Sequence, residues 1–107
     1  MKRGGLYWVN LEPVRSPELG KTRPGLIISN TEHNLRLPTV TIVPISSQPP
    51  AMWPLRVAFT MPDGKASFVI IPGIRQVHKS RLHSMIGSVT SSVLTEMEDA
   101  LFAYLKD

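Results

Sequence analysis

The amino-acid sequence predicts a mainly β fold, a small and strongly bent antiparallel sheet or barrel with one helix packed on it at the C-terminal end. Three observations lead there. Short apolar and β-branched runs recur between turn residues, in a chain with 10 prolines and 7 glycines. A sustained helical period occurs once, near the C-terminus. The length of 107 residues suits one domain, expected to span 1–107, whose core is modest enough that a second subunit would add to its stability.

Residues 6–12 alternate, with Tyr7, Val9 and Leu11 on one face, as a half-buried strand does. Residues 13–22 form a polar loop broken by Pro13, Pro17 and Gly20. Residues 25–30 are a short, nearly continuous apolar run and read as a strand buried on both faces. Residues 31–37 are polar and suit one helical turn. A third strand runs over 39–45, rich in β-branched residues, and Pro44 inside it implies a bulge or an edge position. A second loop, 48–54, carries Pro49, Pro50 and Trp53. Residues 55–60 alternate again and pair with 66–71 across the turn at Pro62, Asp63 and Gly64. The basic segment 74–82 suits a short helix, and 85–89 a last short strand. Thr90, Ser91 and Ser92 then offer an N-cap, after which Leu94, Met97, Leu101, Tyr104 and Leu105 mark the apolar face of a helix. Glu96, Glu98 and Asp99 lie near its N-terminal end, where the helix dipole favours acids.

Twelve Lys and Arg against eight Asp and Glu give a net charge of +4, unevenly spread. Glu96, Glu98, Asp99 and Asp107 crowd the C-terminal end, and residues 65–95 hold no acid at all. A basic body with an acidic helical tail suits a polyanion or an acidic protein partner. The absence of cysteine excludes disulfides, thiolate catalysis and cysteine zinc sites, and fits a cytoplasmic protein. No apolar run approaches membrane-spanning length, and residues 6–11 are too short and polar for a signal peptide. His33, His78 and His83 are not at metal-ligating spacing, so neither a metal nor another cofactor is expected.

Lys21, Thr22, Arg23 and Pro24 place a permanent guanidinium charge where a polar loop enters a buried strand. Ser46, Ser47 and Gln48 stand at the end of the next strand. An arginine and a hydroxyl presented from adjacent strand ends can hold and polarise a phosphate. Lys65, Arg75, Lys79 and Arg81, with His78 and His83, form a basic stretch able to track a phosphate backbone, or simply a solvated face. Trp53 could stack on an unpaired base or serve packing.

The whole chain resembles the MazF/PemK family of toxin endoribonucleases. The resemblance runs from Lys2-Arg3-Gly4-Gly5-Leu6-Tyr7-Trp8-Val9-Asn10-Leu11-Glu12-Pro13 through Glu18 and Lys21-Thr22-Arg23-Pro24. It continues with Val43-Pro44-Ile45-Ser46-Ser47-Gln48 and ends with Ile74-Arg75-Gln76-Val77-His78-Lys79-Ser80-Arg81-Leu82. It implies an SH3-like β-barrel with a C-terminal helix, a homodimer, and metal-independent cleavage of single-stranded RNA by attack of the ribose 2′-hydroxyl. It also implies an acidic antitoxin that covers the RNA site. By the same resemblance Arg23 and Ser46 are the catalytic pair and Glu18 a candidate base or a group orienting Arg23. Lys21, Thr22, Ser47, Gln48, Trp53, Arg75, His78, Lys79 and Arg81 would contact RNA. Departures from the family pattern stand at Gly5, at Pro72 and Gly73, and at His78, where acids or an acid–Gln pair are usual. Ser46 replaces the usual threonine. A non-catalytic binding member of the fold is therefore a competing expectation. A gyrase poison of the CcdB type is less favoured, because Tyr104-Leu105-Lys106-Asp107 lacks the Trp-Gly-Ile that activity needs.

Overall fold

The computed structural model describes residues 1–11 and 22–107, so the candidates Glu18 and Lys21 lie outside the described residues. Among the described residues, seven strands and two helices make a mixed α/β fold. In chain order they are β1 (Gly5–Asn10), β2 (Thr22–Ile27), α1 (Thr31–Arg36), β3 (Thr39–Ser46), β4 (Arg56–Thr60), β5 (Ala66–Ile70), β6 (Arg75–His78), β7 (Leu82–Ser88) and α2 (Ser91–Leu105). Two 3₁₀ turns, Ile71–Gly73 and Lys79–Arg81, flank β6.

The expected barrel is not formed. The strands pair antiparallel in the order β4-β5-β3-β2-β1-β7, with β6 on β3, and the terminal strands β4 and β7 do not pair with each other. Closure is not needed to bury the core, because α2 covers the concave face. Leu6, Leu26, Val43, Ile45, Val57, Phe59, Val69 and Ile71 from the sheet meet Met97 and Ala100 from α2 in one cluster. Register shifts between β1 and β7 bend the sheet at that end.

Strand periodicity decides which residues reach this cluster and which reach a second one. Leu26 enters the main cluster, whereas Ile27 joins Val9, Val40, Ile42, Val77 and Leu82 on the opposite side. That is the both-faces burial expected of the apolar run, and Tyr7 and Leu11 pack against the second cluster beside Val9 as the alternation required. Gly25 belongs here because a Cβ would stand 2.9 Å from Val9 Cγ2.

Pro44 sits where β3 changes partner on one flank. β6 pairs as far as Ile42–Arg75, and β5 begins at Ile45–Val69. The turn joining β5 to β6 crosses at this gap, and Gly73 lies so close that a Cβ would be 2.7 Å from Pro44 Cγ. The basic segment expected as a short helix is instead strand β6 and a 3₁₀ turn, because β3 offers it a ladder from Thr39–His78 to Ile42–Arg75. The last strand starts earlier than expected, at Leu82.

Thr90 caps α2, its hydroxyl accepting the Val93 N–H at 3.3 Å. Leu94, Met97 and Leu101 face the core as expected, but Tyr104 and Leu105 in the last turn are exposed, as is Phe102. No acid lies in the first turn. Glu98 instead pairs with Arg3, whose Nε also donates to the Ile28 carbonyl at 3.1 Å, tying α2 to the end of β2. Asn34 of α1 is buried and fully engaged. Its Nδ2 donates to the carbonyls of Met1 and Ser29, each at 3.1 Å, and its Oδ1 accepts from Ser29 Oγ at 2.6 Å.

Candidate active site

Beyond the rung Gly25–Pro44, β2 and β3 part company. β2 stays with β1 through Val9–Arg23 and Asn10–Thr22, while β3 turns to β5 through Ile45–Val69 and Ser46–Phe68. The fork between the two ladders is a cleft of about 600 Å³. Had β2 and β3 stayed paired in the same register, Arg23 would face Ser46 directly. The separation leaves both lining one open space, together with Thr22, Pro24 and Ser47. The lining is completed by Met61, Asp63, Lys65 and Ser67 of the β4–β5 hairpin and by Ile45, Ile86 and Trp8.

Arg23 is exposed and makes no ion pair or hydrogen bond with any described residue. Its guanidinium is therefore available to an anion, without first breaking an interaction with another described side chain. Ser46 Oγ accepts the backbone N–H of Gln48 at 3.0 Å. That bond occupies a lone pair and leaves the hydroxyl proton free to donate. Asp63 Oδ1 accepts the Lys65 N–H at 3.0 Å, which fixes the hairpin turn and leaves Oδ2 outside that bond. Asp63 is the carboxylate that lines the cleft among the described residues, and Arg23 and Lys65 are its cations. Among the described residues no group of three acids or histidines could hold a metal ion.

The other sequence candidates lie elsewhere. Gln48 contributes its backbone N–H to Ser46 but does not line the cleft, and its carbonyl accepts from Arg56 Nη2. Arg56 Nε also donates to the Pro50 carbonyl at 3.1 Å, so this arginine holds the loop that presents Trp53, which is 55% exposed. Arg75 and Arg81 converge on the end of β1, donating to the carbonyls of Leu11 at 3.5 Å and Asn10 at 3.2 Å. They brace the point where the chain leaves β1. Lys79 donates its backbone N–H to the Pro38 carbonyl at 3.0 Å. His78 Nδ1 accepts the Ser80 N–H at 3.1 Å and caps the second 3₁₀ turn, a role open to any short acceptor side chain. At Gly5 a Cβ would come within 3.1 Å of the Tyr7 ring and 3.2 Å of the Lys2 carbonyl.

Sequence reasoning thus found Thr22, Arg23, Ser46 and Ser47 in the cleft, assigned Lys65 to the basic stretch able to track a phosphate backbone, and missed Trp8, Asp63 and Ser67. Trp8 carried a signal. The alternation that put Tyr7 and Val9 on one face put Trp8 on the other, where it is 40% exposed. Asp63 was visible as a turn residue and Lys65 as a basic one, but only the packing of the hairpin against the fork makes them cleft residues.

A family model described as PemK-like, MazF-like toxin of type II toxin–antitoxin system matches residues 2–105. Endoribonuclease EndoA of Bacillus subtilis is 31% identical over 108 residues, covering 94% of this chain and 90% of that protein. Endoribonuclease MazF9 of Mycobacterium tuberculosis is 29% identical over 116 residues, covering 98% and 96%. A solved structure of an endoribonuclease in complex with its cognate antitoxin, from a mycobacterial species, superposes with a TM-score of 0.82 at 25% identity, covering 98% of this chain and 94% of that one.

Proposed function

The chain belongs to the PemK-like, MazF-like toxin family of type II toxin–antitoxin systems and is an endoribonuclease, and on that footing we propose that Arg23 and Ser46 carry its chemistry on single-stranded RNA. The observation that supports this reading is the fork between β2 and β3, which sets a guanidinium unpaired among the described residues and a hydroxyl with a free proton in the lining of one cleft.

In the proposed reaction the scissile phosphate enters the cleft between them. The ribose 2′-oxygen attacks phosphorus and loses its proton to a carboxylate. The bond to the 5′-oxygen breaks, and that oxygen takes a proton from water. The products are a 2′,3′-cyclic phosphate and a 5′-hydroxyl. Charge on the equatorial oxygens grows as the pentacoordinate phosphorus forms, and Arg23 stabilises it where it develops. Ser46 donates its hydroxyl proton to one of the same oxygens. Because the substrate supplies its own nucleophile, the scheme needs no metal. Glu18 is one proposed proton acceptor, on the strength of the family resemblance. Asp63 is the other, on the strength of its place in the cleft. Asp63→Asn keeps the acceptor for the Lys65 N–H, so it separates the two: the carboxylate whose amide variant loses the acid limb of the pH–rate profile is the base.

The partner is a protein antitoxin of the type II system. Its acidic character and its docking over the cleft are proposed from the cations Arg23 and Lys65 there. A homodimer is proposed as well, and the exposed Leu35 in α1, Leu37 just after it, and Phe102 and Leu105 on α2 support a protein-covered surface.

The deciding experiment incubates the protein with long single-stranded RNA in EDTA, beside Arg23→Ala and Ser46→Ala, and maps the ends. The expected result is cutting at a recurring short sequence with cyclic-phosphate and 5′-hydroxyl ends, abolished in Arg23→Ala and slowed in Ser46→Ala. Cutting that survives in a folded Arg23→Ala variant would overturn the assignment. No cutting by wild type on several RNAs would favour the binding-member reading.

A further inference from the structure

We propose that the cleft beside Arg23 and Ser46 is a nucleobase pocket, in which Trp8 stacks on the base and the Ser67 hydroxyl reads its edge. The ligand class rests on the endoribonuclease reading. The pocket itself rests on the side chains that line it.

Ser67 is the starting point. It is 5% exposed, and its hydroxyl makes no hydrogen bond with any described residue. Buried hydroxyls are rarely left this way, because a desolvated donor without a partner costs stability. Nothing in the strand pattern requires the hydroxyl. Ser67 pairs with Phe59, and the neighbouring rung on the same face is Val57–Val69, all three of those side chains buried in the main cluster. Alanine or valine would continue that face without an unmet donor. Ser67 instead lines the cleft.

The surroundings of Ser67 fit a base better than another phosphate. Ile45, Met61 and Ile86 give the cleft an apolar lining below its charged rim. Trp8 adds an indole that is 40% exposed, a large aromatic surface left in contact with solvent. Stacking on an aromatic face tolerates every base, so selection falls to a polar atom fixed at the edge of the ring. Ser67, which can donate and accept, is such an atom. The volume of about 600 Å³ is that of a small-ligand site. The remaining polar groups, Thr22, Ser47, Asp63 and Lys65, stand with Arg23 and Ser46 around the same space. Ser67 and Ser46 line the same cleft, so a base held by Ser67 belongs to a nucleotide close to the phosphate held by Ser46.

The test has two arms. In the first, cut sites of wild type, Ser67→Ala and Ser67→Thr are mapped on one RNA pool. Loss of a single neutral hydrogen bond should lower base discrimination at one position beside the cut by about threefold to tenfold. Ser67→Thr, which keeps the hydroxyl, should restore it in part. In the second arm Trp53→Phe leaves Trp8 as the sole tryptophan, and its fluorescence is followed during titration with each of the four nucleoside 3′-monophosphates. Saturable quenching that favours one base, with the preference lost when Ser67→Ala is added, is the expected result. An unchanged cut-site profile in folded Ser67→Ala, or no response of Trp8 to any of the four nucleotides, overturns the pocket. If wild type cuts no RNA, the nuclease reading fails, and the fluorescence arm still decides whether the pocket binds a nucleobase.

Discussion

Asn34 and Ser67 are the two buried polar side chains among the described residues, and they are treated in opposite ways. Asn34, 1% exposed, uses its amide and its carbonyl to bind Met1, Ser29 and, through Ser29 Oγ, the Thr41 N–H at 3.0 Å. That network sews the start of the chain, the end of β2 and the start of β3 together behind the sheet. Ser67, at the fork, has no such partner. The contrast separates a polar group kept for folding from one kept for a ligand. The same division holds for the arginines: Arg3, Arg56, Arg75 and Arg81 all bond to protein groups, whereas Arg23 bonds to none of the described residues.

The strongest way to break this division is at Arg23. Arg23→Ala should slow RNA cleavage by about 10²–10³-fold, the scale on which a single transition-state donor acts. It should leave the urea midpoint unchanged, because no described residue loses a partner. A large fall in stability would show that Arg23 holds the fold rather than the substrate.

The converse test is Asn34→Ala. Removing the amide strands the Met1 and Ser29 carbonyls and the Ser29 hydroxyl in a buried place, so unfolding free energy should fall by about 2–3 kcal/mol. Cleavage measured well below the midpoint should keep its rate and its sites. Altered sites would mean that the two regions are coupled. A smaller effect is expected at Lys65, the second cation of the cleft. Lys65→Ala should weaken RNA binding evenly across sequences and reduce the slope of log affinity against log salt by about 0.7, the contribution of one phosphate contact to a single strand.

How far these regions could be read from the sequence follows the same line. Local rules sufficed for the strand alternation at Tyr7, Val9 and Leu11, the N-cap at Thr90 and the placing of Arg23 and Ser46 at two neighbouring strand ends that line one cleft. They failed where the outcome depended on which strand meets which. The segment around Arg75 has the charge and length of a helical turn, but β3 offers it an unpaired flank, and the ladder wins. The barrel was expected because short strands hide their edges by closing. Here α2 covers the core and the sheet stays open from β4 to β7. Ser67 was illegible for a deeper reason. A serine in a strand has no pattern of its own, and its isolation is visible only once the fork has been built around it.

Stability offers the finest discrimination, because the sign reverses between the two polar sites. A hydroxyl that is desolvated without a partner raises the free energy of the folded state. Its removal relieves that cost, whereas removing the amide of Asn34 leaves several groups unmet. Ser67→Ala should therefore leave thermal stability unchanged or raise it by up to about 1 kcal/mol, the upper end holding if water does not reach the hydroxyl through the cleft. Differential scanning calorimetry of Ser67→Ala beside Asn34→Ala reads both signs in one experiment. A gain at 67 together with a loss of base discrimination would mean that the chain gives up stability at this position for recognition. A clear loss of stability at 67 would mean that the hydroxyl has a structural partner, and the contrast with Asn34 would be gone.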